Sequence, residues 1–212
     1  MDHHKSRTLL LAIAILSSHL ALNAQASAVS HSLREIKDVP ASADSANGSE
    51  IYIELDPLDY VFGGGSLLVK RSSTLIKNLR IGVGYFRITL PDFEVNKISN
   101  KDKGWGVKVT NGYELHFDYH IKNPNKGSYT GLMLTSKEWE IQRNGMSSKY
   151  KTIGAVWRYG YIWRPWSSGF YLNPWVGVIF EKKVSGKNVV DGATYEIPEP
   201  PIFGLVYVGY SF

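Results

Sequence analysis

Four ionisable residues stand two apart near the middle of the chain: Glu114, His116, Asp118 and His120. On an extended strand, side chains two apart project from the same face at a spacing of about 7 Å. Two imidazoles so spaced, with a carboxylate between them, can ligate zinc or orient a general base. The metal reading takes His116, Asp118 and His120 as ligands, but it lacks a third ligand distant in sequence. The catalytic reading lacks a nucleophile: His31-Ser32 belongs to the N-terminal tail, and no serine stands beside His116 or His120. The plainer reading is a buried network of ions and hydrogen bonds, because an unpaired buried charge is costly.

The element that positions these residues is a long strand. Trp105, Val107, Val109, Tyr113, Leu115, Phe117, Tyr119 and Ile121 share one phase. Gly106, Lys108, Thr110, Gly112, Glu114, His116, Asp118 and His120 share the other, with Asn111 the exception. Alternation this long is a strand signal, and it exceeds the length of a usual soluble strand.

Seven other runs read as strands. They cover about 50–61, with Pro57 marking a bulge or bend, 66–73, 78–90, 128–142 with ambiguous phase, 150–164, 169–181 and 201–212. In the run at 78–90, Leu79, Ile81, Val83 and Tyr85 alternate with Arg80, Gly82, Gly84 and Phe86. In the run at 150–164, Trp157, Tyr159, Tyr161 and Trp163 alternate with Val156, Arg158, Gly160, Ile162 and Arg164. The last run places Ile202, Gly204, Val206, Val208, Tyr210 and Phe212 on one face. Outer loops are expected at about 62–65, 91–104, 143–149 and 182–200, and shorter inner turns at about 74–77, 122–127 and 165–168. An even strand count with short turns on one side is the rule for a barrel in a membrane.

The N-terminus carries Lys5 and Arg7, then a mainly apolar stretch over 8–22 and small-x-small sites at Ala24-Gln25-Ala26 and Ala26-Ser27-Ala28. This is the layout of a signal peptide, with cleavage expected after Ala26 or Ala28. Residues 27–49, rich in Ser, Ala and Asp, read as a flexible periplasmic lead. No later stretch resembles a membrane-crossing helix, so strands must do any spanning. There is no cysteine, which excludes disulfides and thiolate chemistry. The formal charge of +5 becomes +4 when Lys5, Arg7 and Asp2 leave with the signal. This mild excess is spread along the chain, without the basic block of a nucleic-acid binder. Thirteen Tyr, six Trp, eight Phe and twenty Gly favour a β-rich fold.

These features resemble those of the small eight-stranded outer-membrane proteins of Gram-negative bacteria, similar in plan to the OmpA transmembrane domain and to OmpW. The resemblance covers residues 50–212 and implies an all-β fold: an eight-stranded antiparallel up-and-down transmembrane β-barrel. It implies residence in the bacterial outer membrane, with lipid and lipopolysaccharide as surroundings. It also implies an assembly machinery that reads Val208, Tyr210 and Phe212 as a C-terminal signal. A secreted lipocalin-like barrel is the soluble alternative. Against it stand the glycine-rich polar phases, the expected girdle pairs Trp105 with Tyr119 and Tyr161 with Trp163, and the terminal Phe212.

An eight-stranded barrel barely holds its own inward side chains, so a general pore is not expected. The expected lumen ion network is Arg80, Lys108, Glu114, His116, Asp118, His120, Arg158 and Arg164. Phe203, Leu205, Tyr207, Trp175 and Ile179 would make one lumen wall apolar. The leading function is non-enzymatic, structural or interactive through the outer loops, with no cofactor and no nucleic acid. The alternatives are a narrow, porin-like channel or binder for small hydrophobic molecules, and a lipid A-modifying enzyme.

Overall fold

The computed structural model describes residues 50–197 and 202–212. The expected signal peptide over 1–26 and periplasmic lead over 27–49 lie outside the described residues.

Eight strands close into an antiparallel barrel. They are β1 (Ile51–Leu55), β2 (Gly65–Ser72), β3 (Leu79–Thr89), β4 (Gly106–His120), β5 (Gly127–Arg143), β6 (Met146–Ile162), β7 (Phe170–Gly186) and β10 (Ile202–Ser211). Each pairs with its neighbour in sequence, and β1 closes the ring by pairing with β10 through Tyr52↔Ser211 to Leu55↔Val208. A small separate hairpin, β8 (Val189–Val190) with β9 (Ala193–Thr194), sits in the last long connection.

The alternation sorts side chains between lumen and exterior. On β6, Ile153, Trp157, Tyr159 and Tyr161 are exposed, and Thr152, Val156, Arg158, Gly160 and Ile162 are buried. The exposed phase continues to Trp163, and Trp157 at its middle is 65% exposed. Ten steps of about 3.3 Å, tilted by about 40°, make that row about 25 Å tall. On β7 the same band runs from Phe170 through Val176 to Phe180, and on β10 from Ile202 to Phe212. Phe170, Tyr210 and Phe212 stack edge to face at its lower rim, with centroids 4.8 Å apart in each pair. Above the band the exposed phase turns charged, at Lys149 and Lys151 on β6 and Lys182 on β7.

Three expectations are corrected. The first run is not one strand to residue 61: after Leu55 the chain forms a short helix, Pro57–Val61. Asp56 caps it by accepting from the Leu58 N–H at 2.9 Å, and Pro57 suits the first helical turn, where no N–H is needed. The long β4 alternation is also not a single face. Register slips between Val109 and Asn111, so Thr110 is a bulge. Below it Tyr113 and Tyr119 face outward; above it Trp105, Val107 and Val109 face inward. Trp105 therefore belongs to no girdle; it packs edge to face on Tyr195 at 5.5 Å.

The expected outer loop at 143–149 is largely strand, and strand also enters the one expected at 182–200. Asn144 and Gly145, at φ 50° and 76°, close a two-residue hairpin turn between β5 and β6. β7 runs on to Gly186. The strand of ambiguous phase, β5, points Tyr129, Gly131, Met133 and Thr135 inward and Leu132 and Leu134 outward. Val95, Trp105, Val107, Ile141, Tyr150, Val190 and Tyr195 form a second core where the outer connections fold over the barrel.

Candidate functional site

The lumen has two tiers. The lower is a filled ionic core centred on Asp118. Arg158 donates to its carboxylate through Nε at 3.1 Å and Nη2 at 2.6 Å, and Lys70 Nζ lies 2.9 Å away. Lys70 also reaches Glu54 at 2.8 Å. Glu54 accepts from the Tyr171 hydroxyl at 2.9 Å and from Asn173 Nδ2 at 3.1 Å, and Asn173 accepts from the Tyr129 hydroxyl at 2.9 Å. All of these residues are buried. Paired charges of this kind avoid the large cost of isolated ones.

The network extends to the lower mouth. The Arg80 guanidinium lies 3.4 Å from the centroid of the Tyr52 ring, and Arg164 lies 4.8 Å from that of Tyr171. Arg164 also donates to the Asn125 and Gly169 carbonyls. Glycines make room for the long side chains. A Cβ on Gly131 would lie 2.3 Å from the Asp118 carboxylate, and one on Gly82 would lie 2.5 Å from Lys70 Cγ.

The expected lumen residues fall in three groups. Arg80, Asp118, Arg158 and Arg164 belong to this lower network. Glu114 and His116 join each other by a 2.8 Å hydrogen bond, and His120 packs its ring on Tyr129 at 5.2 Å. Lys108 is a correction: the Thr110 bulge turns it outward, where it pairs with Glu140 at 2.9 Å. Lys70, Glu54, Tyr171 and Asn173 are essential members absent from the residues expected on sequence grounds.

His116, Asp118 and His120 do not converge as a metal site. Asp118 is engaged by two cationic side chains and His116 by Glu114, and among the described residues no group of three potential ligands is placed to hold an ion. His116 and His120 meet a carboxylate and an aromatic ring rather than a hydroxyl nucleophile.

The upper tier is a cavity of about 1000 Å³. Its wall is mainly apolar: Leu68, Met133, Trp175, Ile179, Phe203, Leu205 and Tyr207. Trp175 contacts Phe203 at 5.1 Å and Tyr207 at 5.8 Å, edge to face. Glu54 and Glu114 mark its floor, and a Lys137–Glu181 pair at 2.5 Å crosses one side. The helix Pro57–Val61 and its cap supply Asp59 and Asp56, both buried, to the wall. Burial pushes the Asp56 carboxyl up to about 6. Burial and the neighbouring Asp56 charge push Asp59 up to about 7.

The cavity also reaches the barrel exterior. β10 pairs with β1 only from Val208 onward, so Ile202–Tyr207 has strand β7 on one side and no strand on the other. The outward-facing Leu55, Leu67, Ile202 and Gly204 all contribute to the cavity lining at that gap.

No family model matches the sequence, and no curated protein matches it. Two solved structures are similar in outline. A major outer membrane protein from Thermus thermophilus aligns at 15% identity and a TM-score of 0.46, covering 78% of this chain and all of that one. Neisserial surface protein A aligns at 15% identity and a TM-score of 0.38, covering 77% of this chain and 92% of that one.

Proposed function

We propose that this chain is a non-enzymatic barrel of the bacterial outer membrane that binds a small hydrophobic molecule in its upper lumen and exchanges it sideways with the lipid. The apolar band about 25 Å tall supports the membrane placement. Its surroundings would be outer-membrane lipid, with lipopolysaccharide above, beside the outward lysines 149, 151 and 182. Val208, Tyr210 and Phe212, on the outward face of β10, would serve as the assembly signal.

The single observation that carries the ligand reading is the cavity of about 1000 Å³, apolar in lining and breaching the wall beside Ile202–Tyr207. A cavity of this size suits a small-molecule ligand. The filled tier beneath it argues for binding rather than passage to the periplasm. A purely structural role through the outer loops gives no reason for such a space.

The test is fluorescence titration of the full-length protein in phosphatidylcholine vesicles with N-phenyl-1-naphthylamine, a neutral apolar probe. Saturable binding at one probe per chain is expected, and Leu205→Trp, which narrows the cavity beside Trp175, should weaken it. Partitioning indistinguishable from that of empty vesicles would rule out the ligand reading.

A further inference from the structure

The cavity wall carries a polar feature that a hydrocarbon ligand does not need. Glu54 meets Lys70, Glu114 meets His116 and Glu181 meets Lys137. Asp56 and Asp59 also line the cavity and are buried, yet among the described residues neither makes an ion pair with a basic side chain. Asp56 accepts the Leu58 N–H of its helix cap, and the Ser66 hydroxyl lies between the two acids, accepting from the Asp56 N–H at 2.8 Å. Two carboxyls in an apolar wall without a countercharge are costly to ionise. Burial holds both above the usual carboxylate range, at about 6 and about 7.

A second observation points independently to a polar occupant. Thr135 Oγ1, which lines the cavity across from Glu114 in the strand register, is buried and has no hydrogen-bond partner among the described residues. An all-hydrocarbon ligand would leave it unmatched, whereas an ammonium can donate to the hydroxyl oxygen. The acids stand at the helix end of the cavity, and the aromatic wall of Trp175, Phe203 and Tyr207 lies on β7 and β10.

Resting on the reading of the cavity as a ligand site, we propose that its ligand is a cationic amphiphile: a protonated amine held by Asp56 and Asp59, with its apolar tail along the β7–β10 wall. An ammonium donates to both carboxylates in charge-assisted hydrogen bonds, which are stronger than neutral ones. It also supplies the countercharge that lets both acids ionise. A fatty-acid anion of the same length would place a third negative charge beside them.

The experiment displaces N-phenyl-1-naphthylamine from the full-length protein in phosphatidylcholine vesicles at pH 7.5, with empty vesicles subtracted. The competitors are dodecylamine, dodecanol and dodecanoate, which share a chain and differ in head group. The amine should compete at a concentration about tenfold below the alcohol, with the acid weakest. In Asp56→Asn/Asp59→Asn, checked for folding by heat-modifiable gel migration, the amine-to-alcohol ratio should fall to about one. An acid that competes as well as the amine, or an amine preference that survives in the double variant, overturns the proposal. If the neutral probe itself shows no saturable binding, the cavity is not a ligand site, and both readings fall.

Discussion

Asp118 shows how a single residue holds the lower lumen. It takes Arg158 through two guanidinium nitrogens and Lys70 through Nζ, all within 3.1 Å. Asp118→Asn leaves two buried cations short of one negative charge and should cost about 3–5 kcal/mol, read from urea titrations of the barrel in lipid vesicles. Adding Arg158→Met to that variant should restore part of the loss; a strictly additive pair would mean the contact carries no coupling. At the cavity, Asp59 faces Asp56 at the cap of its helix, Ser66 from β2 and Glu114 from β4. Its folded-state value of about 7 exceeds the ordinary 3.8, so the folded chain binds more protons across that window. Stability should therefore fall as pH rises from 3.8 towards about 7. Asp59→Asn should flatten that slope, and an unchanged slope would show that Asp59 titrates normally. Asp118, Arg80 and Arg158 are legible as lumen residues because they stand in long alternating runs. Lys70 and Glu54 are not, because β1 and β2 are too short to reveal a phase on their own.

Strand β4 shows what an element discloses and what it conceals. Asn111 is visible in the sequence as the one break in an alternation, but apolar residues keep the same parity on both sides of it. The Thr110 bulge reverses the faces all the same, because Trp105 and Val107 find an interior supplied by Val190, Tyr195 and Ile141. That cover comes from segments remote in sequence, so no local pattern announces it. The same reversal moves Lys108 out of the lumen and onto Glu140. The β5–β6 turn is the converse case. Asn-Gly is a strong hairpin signal, and the two strands pair without interruption to Arg143↔Met146. Gly145, at φ 76°, occupies the left-handed region, which a side chain enters at a cost. Gly145→Ala should destabilise the barrel by about 1–2 kcal/mol in the same urea titration. An unchanged midpoint would show that the turn relaxes at no cost.

At the scale of the molecule, the strand count, the direction of closure and the outward apolar face all follow from alternation read along the chain. The cavity does not. It depends on β1 ending at Leu55, on Asp56 starting a helix, and on the β10 edge beside Ile202–Tyr207 lacking a strand partner. A barrel filled by charge below and left apolar above separates two tasks: the ionic tier fixes the cylinder, and the upper tier has room for a ligand. Both depend on the outward face of the strands meeting lipid. The chain has no cysteine, so single cysteines can be placed and spin-labelled one at a time along residues 153–161 of β6. In outer-membrane lipid vesicles, labels at 153, 155, 157, 159 and 161 should be accessible to oxygen and shielded from a water-soluble nickel complex. Labels at 154, 156, 158 and 160 should be shielded from both. Ready access of the nickel complex at position 157 would contradict the membrane placement, and with it the sideways route to the cavity.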